Sequence, residues 1–179
     1  MIDCSAIQFC VHEVSEWIVN DRGQQSLQIN HGERNLEVEQ LQALFQVAAF
    51  WAQNRRSEDL IVAITNSKPV VTVWEGDRLI GFARATSDGV YRATIWDVVI
   101  HPNYQGAGLG RKLVETILMH PHMNRVERTY LMTTHQQQFY ERIGFQVNST
   151  TTMVLYNRPP VGLPTLETAD VLATLSDQA

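Results

Sequence analysis

The stretch Thr94-Ile-Trp-Asp-Val-Val-Ile-His-Pro-Asn-Tyr-Gln-Gly-Ala-Gly-Leu-Gly-Arg111 constrains this chain more than any other, because three kinds of local structure succeed one another in it without a linker. Ile95 to Ile100 is a short run rich in β-branched residues that only Asp97 interrupts, and His101-Pro102-Asn103 ends it, so it reads as a buried strand. From Leu109 the apolar residues recur as Leu113, Val114, Ile117 and Leu118, one face of a helix of about three turns. Between the two, Gln105-Gly-Ala-Gly-Leu-Gly110 leaves backbone N–H groups uncovered, next to the unpaired amides and positive dipole end of the coming helix. A phosphate or pyrophosphate suits such a cradle.

Two common phosphate motifs are excluded by the residues after the glycines. A P-loop needs Lys and then Ser or Thr, whereas Gly110 is succeeded by Arg111, Lys112 and Leu113. The dinucleotide fingerprint, counted from Gly106 and Gly108, wants its third glycine where Arg111 stands. The pattern that remains is Q-x-x-G-x-G over Gln105–Gly110, preceded by His-Pro. Further along come a strand-like run, Val126 to Thr133, and then Gln138-Phe-Tyr-Glu-Arg-Ile-Gly-Phe145, a helix stopped by Gly144. Together the two patterns, Q-x-x-G-x-G and F-Y-x-x-x-G-F in that order, resemble the two hallmark motifs of the GNAT superfamily of acetyl-CoA-dependent N-acetyltransferases. Ile80-Gly-Phe-Ala-Arg-Ala-Thr-Ser-Asp88 with Ala93 to Pro102 is similar to the branch found in cyanobacteria and plastids, which includes plant plastid enzymes that acetylate arylalkylamines and protein amines. The resemblance covers Leu27 to Tyr156.

The 179 residues suffice for one domain with a substantial core. The expected division is an N-terminal extension over 1–25, the acetyltransferase domain over 26–157 and a C-terminal tail over 158–179 that opens Arg158-Pro-Pro-Val-Gly-Leu-Pro164. Within the domain the pattern predicts a strand at Leu27–Asn30 and helices at Glu37–Ala52 and from Ser57, which is placed as an N-cap. A hairpin joins strands Val70–Trp74 and Leu79–Ala85, and further strands are expected at Thr94–Ile100, Val126–Thr133, Phe145–Asn148 and Met153–Tyr156. The sum is an α+β fold, a mixed and largely antiparallel sheet of about seven strands flanked by about four helices, as in GNAT proteins. Only Cys4 and Cys10 are present, both in the extension, so no disulfide framework is implied and the expected compartment is the cytoplasm. No membrane span or export signal is evident, and a net charge of −5 argues against a nucleic-acid surface. His120-Pro121-His122 lacks a third ligand, and no metal is expected. The chain is expected as a monomer or homodimer.

The resemblance implies the site. Acetyl-CoA is the co-substrate and a primary amine the acceptor: a small arylalkylamine, a protein N-terminus or a lysine. Transfer of another short acyl group and noncatalytic acyl-CoA sensing are the alternatives. Backbone groups of Val98, Val99 and Ile100 would bond the pantetheine arm as a neighbouring strand would. Gln105, Gly106, Ala107, Gly108, Leu109, Gly110 and Arg111 would hold the pyrophosphate, with Phe139 and Thr133 also on the cofactor. Tyr140 would protonate the departing thiolate, since a phenol with a reference pKa of about 10 keeps its proton at neutral pH. With no cysteine in the matched region, the amine is expected to attack directly. Plastid relatives carry an aspartate seven positions before this tyrosine, where this chain has Thr133. Asp97 is therefore the candidate base, beside His135, Glu141 and a water chain.

Overall fold

The computed structural model describes residues 6–12, 14–19, 25–29, 36–150 and 152–155, with the backbone alone at 14–19 and 25–29. Two units are distinguished, one ending at Phe145 and one beginning at Gln146.

The first unit is built on a five-stranded sheet in the order β1-β5-β6-β7-β8, where β1 is Ile7–His12, β5 Val70–Glu75, β6 Arg78–Ser87, β7 Arg92–Ile100 and β8 Arg128–Tyr130. Every pairing is antiparallel except β7 with β8. The mixed, largely antiparallel α+β layer is thus as the sequence implies. Three further strands, β2 (Val14–Val19), β3 (Gln25–Ile29) and β4 (Leu36–Glu37), form a second small antiparallel sheet.

The sheet is covered on both faces, and the alternation along β5 shows how. Val70 and Trp74 belong to a core cluster with Leu41, Phe45 and Leu60 from helices α1 (Val38–Ala48) and α2 (Ser57–Thr65). Val71 and Val73 belong to a second cluster, with Leu113, Val114 and Ile117 of α3 (Leu109–Met119). The apolar stripes read from the sequence are the faces these helices bury. The Phe45 and Phe82 rings meet edge to face, with centroids 5.7 Å apart, and join α1 to β6.

Four expectations need correction. The N-terminal segment is not a separate extension: Ile7–His12 pairs with β5 over six residues as the edge strand β1, and β2 also lies within 1–25. Half-buried Ile7, Phe9 and Val11 pack against the α3 cluster, a period-2 pattern that the polar residues around it concealed. Ser57 opens α2 but is not its cap; the cap position is Arg56, and Ser57 donates its hydroxyl proton to Gln42 Oε1 at 3.1 Å. The strand expected over Val126–Thr133 shrinks to the three residues of β8. In the second unit the described residues, 146–150 and 152–155, form neither helix nor strand, so the expected strands at Phe145–Asn148 and Met153–Tyr156 are absent there. Val147 and Met153 are 78 % and 91 % exposed, and an apolar run without a ladder partner or a face to bury has nothing to hold it extended. Tyr156 and the tail over 158–179 lie outside the described residues.

Candidate active site

The glycine turn is anchored before it begins. A single 3-10 turn at Pro102–Tyr104 comes after β7; the Tyr104 hydroxyl donates to Glu75 Oε2, and the His101 ring meets Arg78 at 2.8 Å, so both strands of the β5–β6 hairpin grip it beside their turn. Glu75 raises the Tyr104 phenol above its usual range by accepting this bond. The chain then passes through Gly106 at φ +81° and Gly108 at φ +79°, a left-handed backbone that glycine adopts without strain. Gly108 is the cap of α3 and supplies no side chain to its first amides, and a Cβ at either glycine would meet nothing within 4 Å. Open space over bare amides at a helix N-terminus fits a pyrophosphate.

This turn forms one end of a cleft of about 620 Å³. Its floor comes from a splay in the sheet: the parallel ladder of β7 with β8 runs only from Arg92–Arg128 to Thr94–Tyr130, and the rest of β7 continues without β8. Val98, Val99 and Ile100 line the opening, which makes the inner edge of β7 available to an extended ligand. Across from them stands helix α4 (Gln137–Glu141), with Phe139 and Tyr140. Tyr140 packs edge to face with Phe139 at 4.9 Å and with Phe145 at 5.9 Å. Burial among these rings pushes its phenol up to about 12, which keeps the hydroxyl protonated at all physiological pH values.

The other end of the cleft is made by Ala48, Phe50 and Trp51, from the last turn of α1 and the turn after it. Phe50 is 72 % and Trp51 49 % exposed, and their rings stand perpendicular at 5.1 Å. Side chains hold this turn: Gln46 Nε2 donates to the Gln53 carbonyl at 2.5 Å and Gln53 Nε2 to the Gln46 carbonyl at 2.9 Å. Beyond it Arg55 reaches Asp97 on β7. Asp97 lies at φ +55° on a bulge, where pairing jumps from Phe82–Val99 to Arg84–Trp96 and leaves an extra residue on β7. Its side chain is 5 % exposed, and Oδ2 accepts from Arg55 and from Arg84, each at 2.8 Å. Burial alone would raise this carboxyl; the two guanidiniums outweigh it and hold it below the usual carboxylate range.

A family model described as acetyltransferase (GNAT) domain matches residues 57–147, half of the chain. The chain belongs to the GNAT acetyltransferases. It is 43 % identical over 102 residues to a ycf52-like N-acetyltransferase of Prochlorococcus marinus, covering 55 % of this chain and 56 % of that one. Over 72 residues it is 43 % identical to the chloroplastic GCN5-related N-acetyltransferase 2 of Arabidopsis thaliana, covering 40 % of this chain and 28 % of that one. The chain thus spans about half or less of the length of these relatives. Its fold is shared with a GNAT family acetyltransferase from Streptococcus pneumoniae, at a TM-score of 0.61 and 22 % identity over 85 % of this chain and 98 % of that one.

For a GNAT protein the cleft gathers most of the residues that the motifs single out. Tyr140, Phe139, Val98, Val99, Ile100, Gln105, Gly106, Gly108, Leu109, Gly110 and Arg111 all line it. Gln105 also donates to the Ile100 carbonyl at 3.0 Å, and Arg111 is paired with Glu115 at 2.7 Å one helical turn on. Ala107 and Thr133 do not line it; the Thr133 hydroxyl accepts the Gln136 amide at 3.1 Å at the start of α4. Asp97, His135 and Glu141 lie outside the lining as well, so the described wall of this cleft has no carboxylate and no histidine. His120 and His122 are engaged locally, His122 Nε2 lying 3.2 Å from the Ser87 carbonyl. Sequence reasoning missed Phe50, Trp51 and Arg142; the first two fell inside the helix expected over Glu37–Ala52, which ends at Ala48 and leaves them in the turn beyond.

Proposed function

We propose that this chain transfers the acetyl group of acetyl-CoA to a primary amine by direct attack. The observation that carries the reading is that one cleft unites an uncapped glycine turn, the inner edge of β7 and Tyr140. When bound, acetyl-CoA supplies an activated thioester. Gly106 to Arg111 would hold its pyrophosphate with backbone amides and one cation, and Val98 to Ile100 would hold the pantetheine arm through main-chain bonds. The amine nitrogen forms its bond to the acetyl carbon as the carbon–sulfur bond breaks. Tyr140 gives its proton to the departing sulfur and is restored from solvent, and the acetylated nitrogen loses a proton to water. No side chain of the described lining takes that proton, which makes the neutral amine the reacting species. No cysteine lines the cleft either, in keeping with a ternary complex.

Phe50 and Trp51 form the acceptor wall in this reading. Two exposed, perpendicular rings favour an amine on a flat apolar body, and the lack of carboxylates offers nothing to a polycation. Among the three acceptor classes a small arylalkylamine therefore fits best. Incubating the protein with acetyl-CoA and a panel of arylalkylamines, N-terminal peptides and lysine peptides, while tracking free thiol, tests this. Thiol release that depends on the arylalkylamine is expected. Acetyl-CoA binding with no thiol release on any amine would replace the transferase by a sensor.

A further inference from the structure

Asp97 is the one acid on the strand that lines the cleft, and its bonds lead to the acceptor end. Arg55, on the same Oδ2, places its guanidinium 5.7 Å from the Phe45 ring of α1 and accepts the Gln42 side-chain amide on its own carbonyl at 3.3 Å. Its backbone N–H donates to the Ala52 carbonyl at 3.2 Å, and Ala52 donates in turn to Ala49 at 2.9 Å, so Arg55 is bonded into the turn that presents Phe50 and Trp51. On the other side Arg84 of β6 donates through a second nitrogen to Ser67 Oγ at 3.1 Å, and Ser67 donates to the Ala63 carbonyl of α2 at 2.7 Å. One carboxylate oxygen therefore ties α1, α2 and the aromatic turn to the bulge that precedes Val98. A buried charge with two cations on one oxygen is costly to break, because removing either side strands the other. An oxygen engaged in this way is badly placed to collect a proton from an amine.

We propose that Asp97 is a positioning residue: with Arg55 and Arg84 it clasps the Phe50–Trp51 turn to the β7 bulge and so sets how tightly the acceptor amine is held. The clasp rests on the reading of those rings as the acceptor wall. Loss of Arg55 should act on the acceptor side, because the bulge next to Val98 keeps the Asp97 bond to Arg84 and the glycine turn is anchored separately by Glu75 and Arg78.

The test uses the full chain and its Arg55→Ala, Arg55→Lys and Asp97→Asn variants, with KM measured for amine and for acetyl-CoA. Tryptophans are replaced by 5-fluorotryptophan, and the Trp51 resonance is assigned with Trp51→Phe. Arg55→Ala should raise the amine KM by about tenfold with the acetyl-CoA KM changed by less than about twofold. The Trp51 fluorine resonance should shift or broaden, and Arg55→Lys should restore part of both. Equal losses toward both substrates with an unmoved Trp51 resonance would overturn the clasp. So would an Asp97→Asn variant that loses kcat and its pH inflection while Arg55→Ala is silent, which would make Asp97 the base. Should Asp97→Asn fail to fold, the Arg55 pair decides alone, since Arg55 is one-third exposed and leaves Asp97 its bond to Arg84. If wild type acetylates no amine, the transferase reading fails on its own; the fluorine resonance still reports whether the clasp holds the turn.

Discussion

The two ends of the cleft are built by opposite means. At the glycine end the binding groups are main-chain amides, exposed because Gly106 and Gly108 carry no side chains and cap α3 with none. At the aromatic end the binding groups are side chains, and side chains share in positioning them beside the backbone bonds of the turn: Gln46 and Gln53 on each other's carbonyls, Gln42 on the Arg55 carbonyl, and Arg55 on Asp97. A backbone-built site is specified by a few consecutive residues and tolerates only changes that keep them small. A side-chain-built site can be retuned one residue at a time, which suits an end that chooses among acceptors while the other binds a constant ligand.

The sharpest way to break this contrast is to put a side chain where none belongs. Gly108→Glu combines an unfavourable left-handed backbone with a carboxylate aimed into open space meant for pyrophosphate. CoA binding, measured by calorimetry, should fall by at least about 10²-fold in a folded protein. Unchanged affinity would remove the bare-amide cradle from the account. Next in size is Tyr140→Phe, which keeps the ring contacts with Phe139 and Phe145 and deletes the proton donor. Turnover should drop by about 10²-fold with CoA affinity nearly intact. A turnover that barely moves would mean that another group protonates the thiolate.

A smaller effect is expected at the aromatic end. Trp51→Ala and Phe50→Ala should each raise the amine KM by about tenfold without affecting CoA binding, because neither ring lies on the glycine turn. Equal effects on both ligands would show that the ends are not independent.

The same contrast explains what could be read from the residues in order. The glycine cradle and the Phe139–Tyr140 helix are local: strand, turn and helix are consecutive in sequence, and periodicity with glycine placement suffices. The acceptor end joins Arg55 to Asp97 across 42 positions and Arg84 to Asp97 across 13, and no spacing rule marks such pairs. Asp97 itself was visible as an acid interrupting an apolar strand. That it sits on a bulge between two arginines is a matter of register, which only the paired strands reveal. β1 escaped although Ile7, Phe9 and Val11 alternate with Gln8, Cys10 and His12, because its partner β5 lies far along the chain and no local turn signal joins the two. Ser57 shows the converse: a residue with the right propensity for a cap spends its hydroxyl on Gln42 instead.

The smallest expected change is none at all, and it bears on where the amine's proton goes. A protonated amine has no lone pair for attack, so kcat/KM must rise with pH until the acceptor is neutral. Two groups of the chain could add inflections of their own. The Asp97 carboxyl is held below its usual range by its arginines, so it stays ionised wherever an ordinary carboxylate would. The Tyr140 phenol, pushed up to about 12, keeps its proton below about pH 10. Between these limits neither changes charge, and the described lining has no histidine or carboxylate that would. With two acceptors whose amine pKa values differ by about two units, the inflection should therefore move with the acceptor by the same amount. An inflection that stays in place from one acceptor to the other would belong to the protein, and would require a base that reaches the aromatic end of the cleft from outside its described wall.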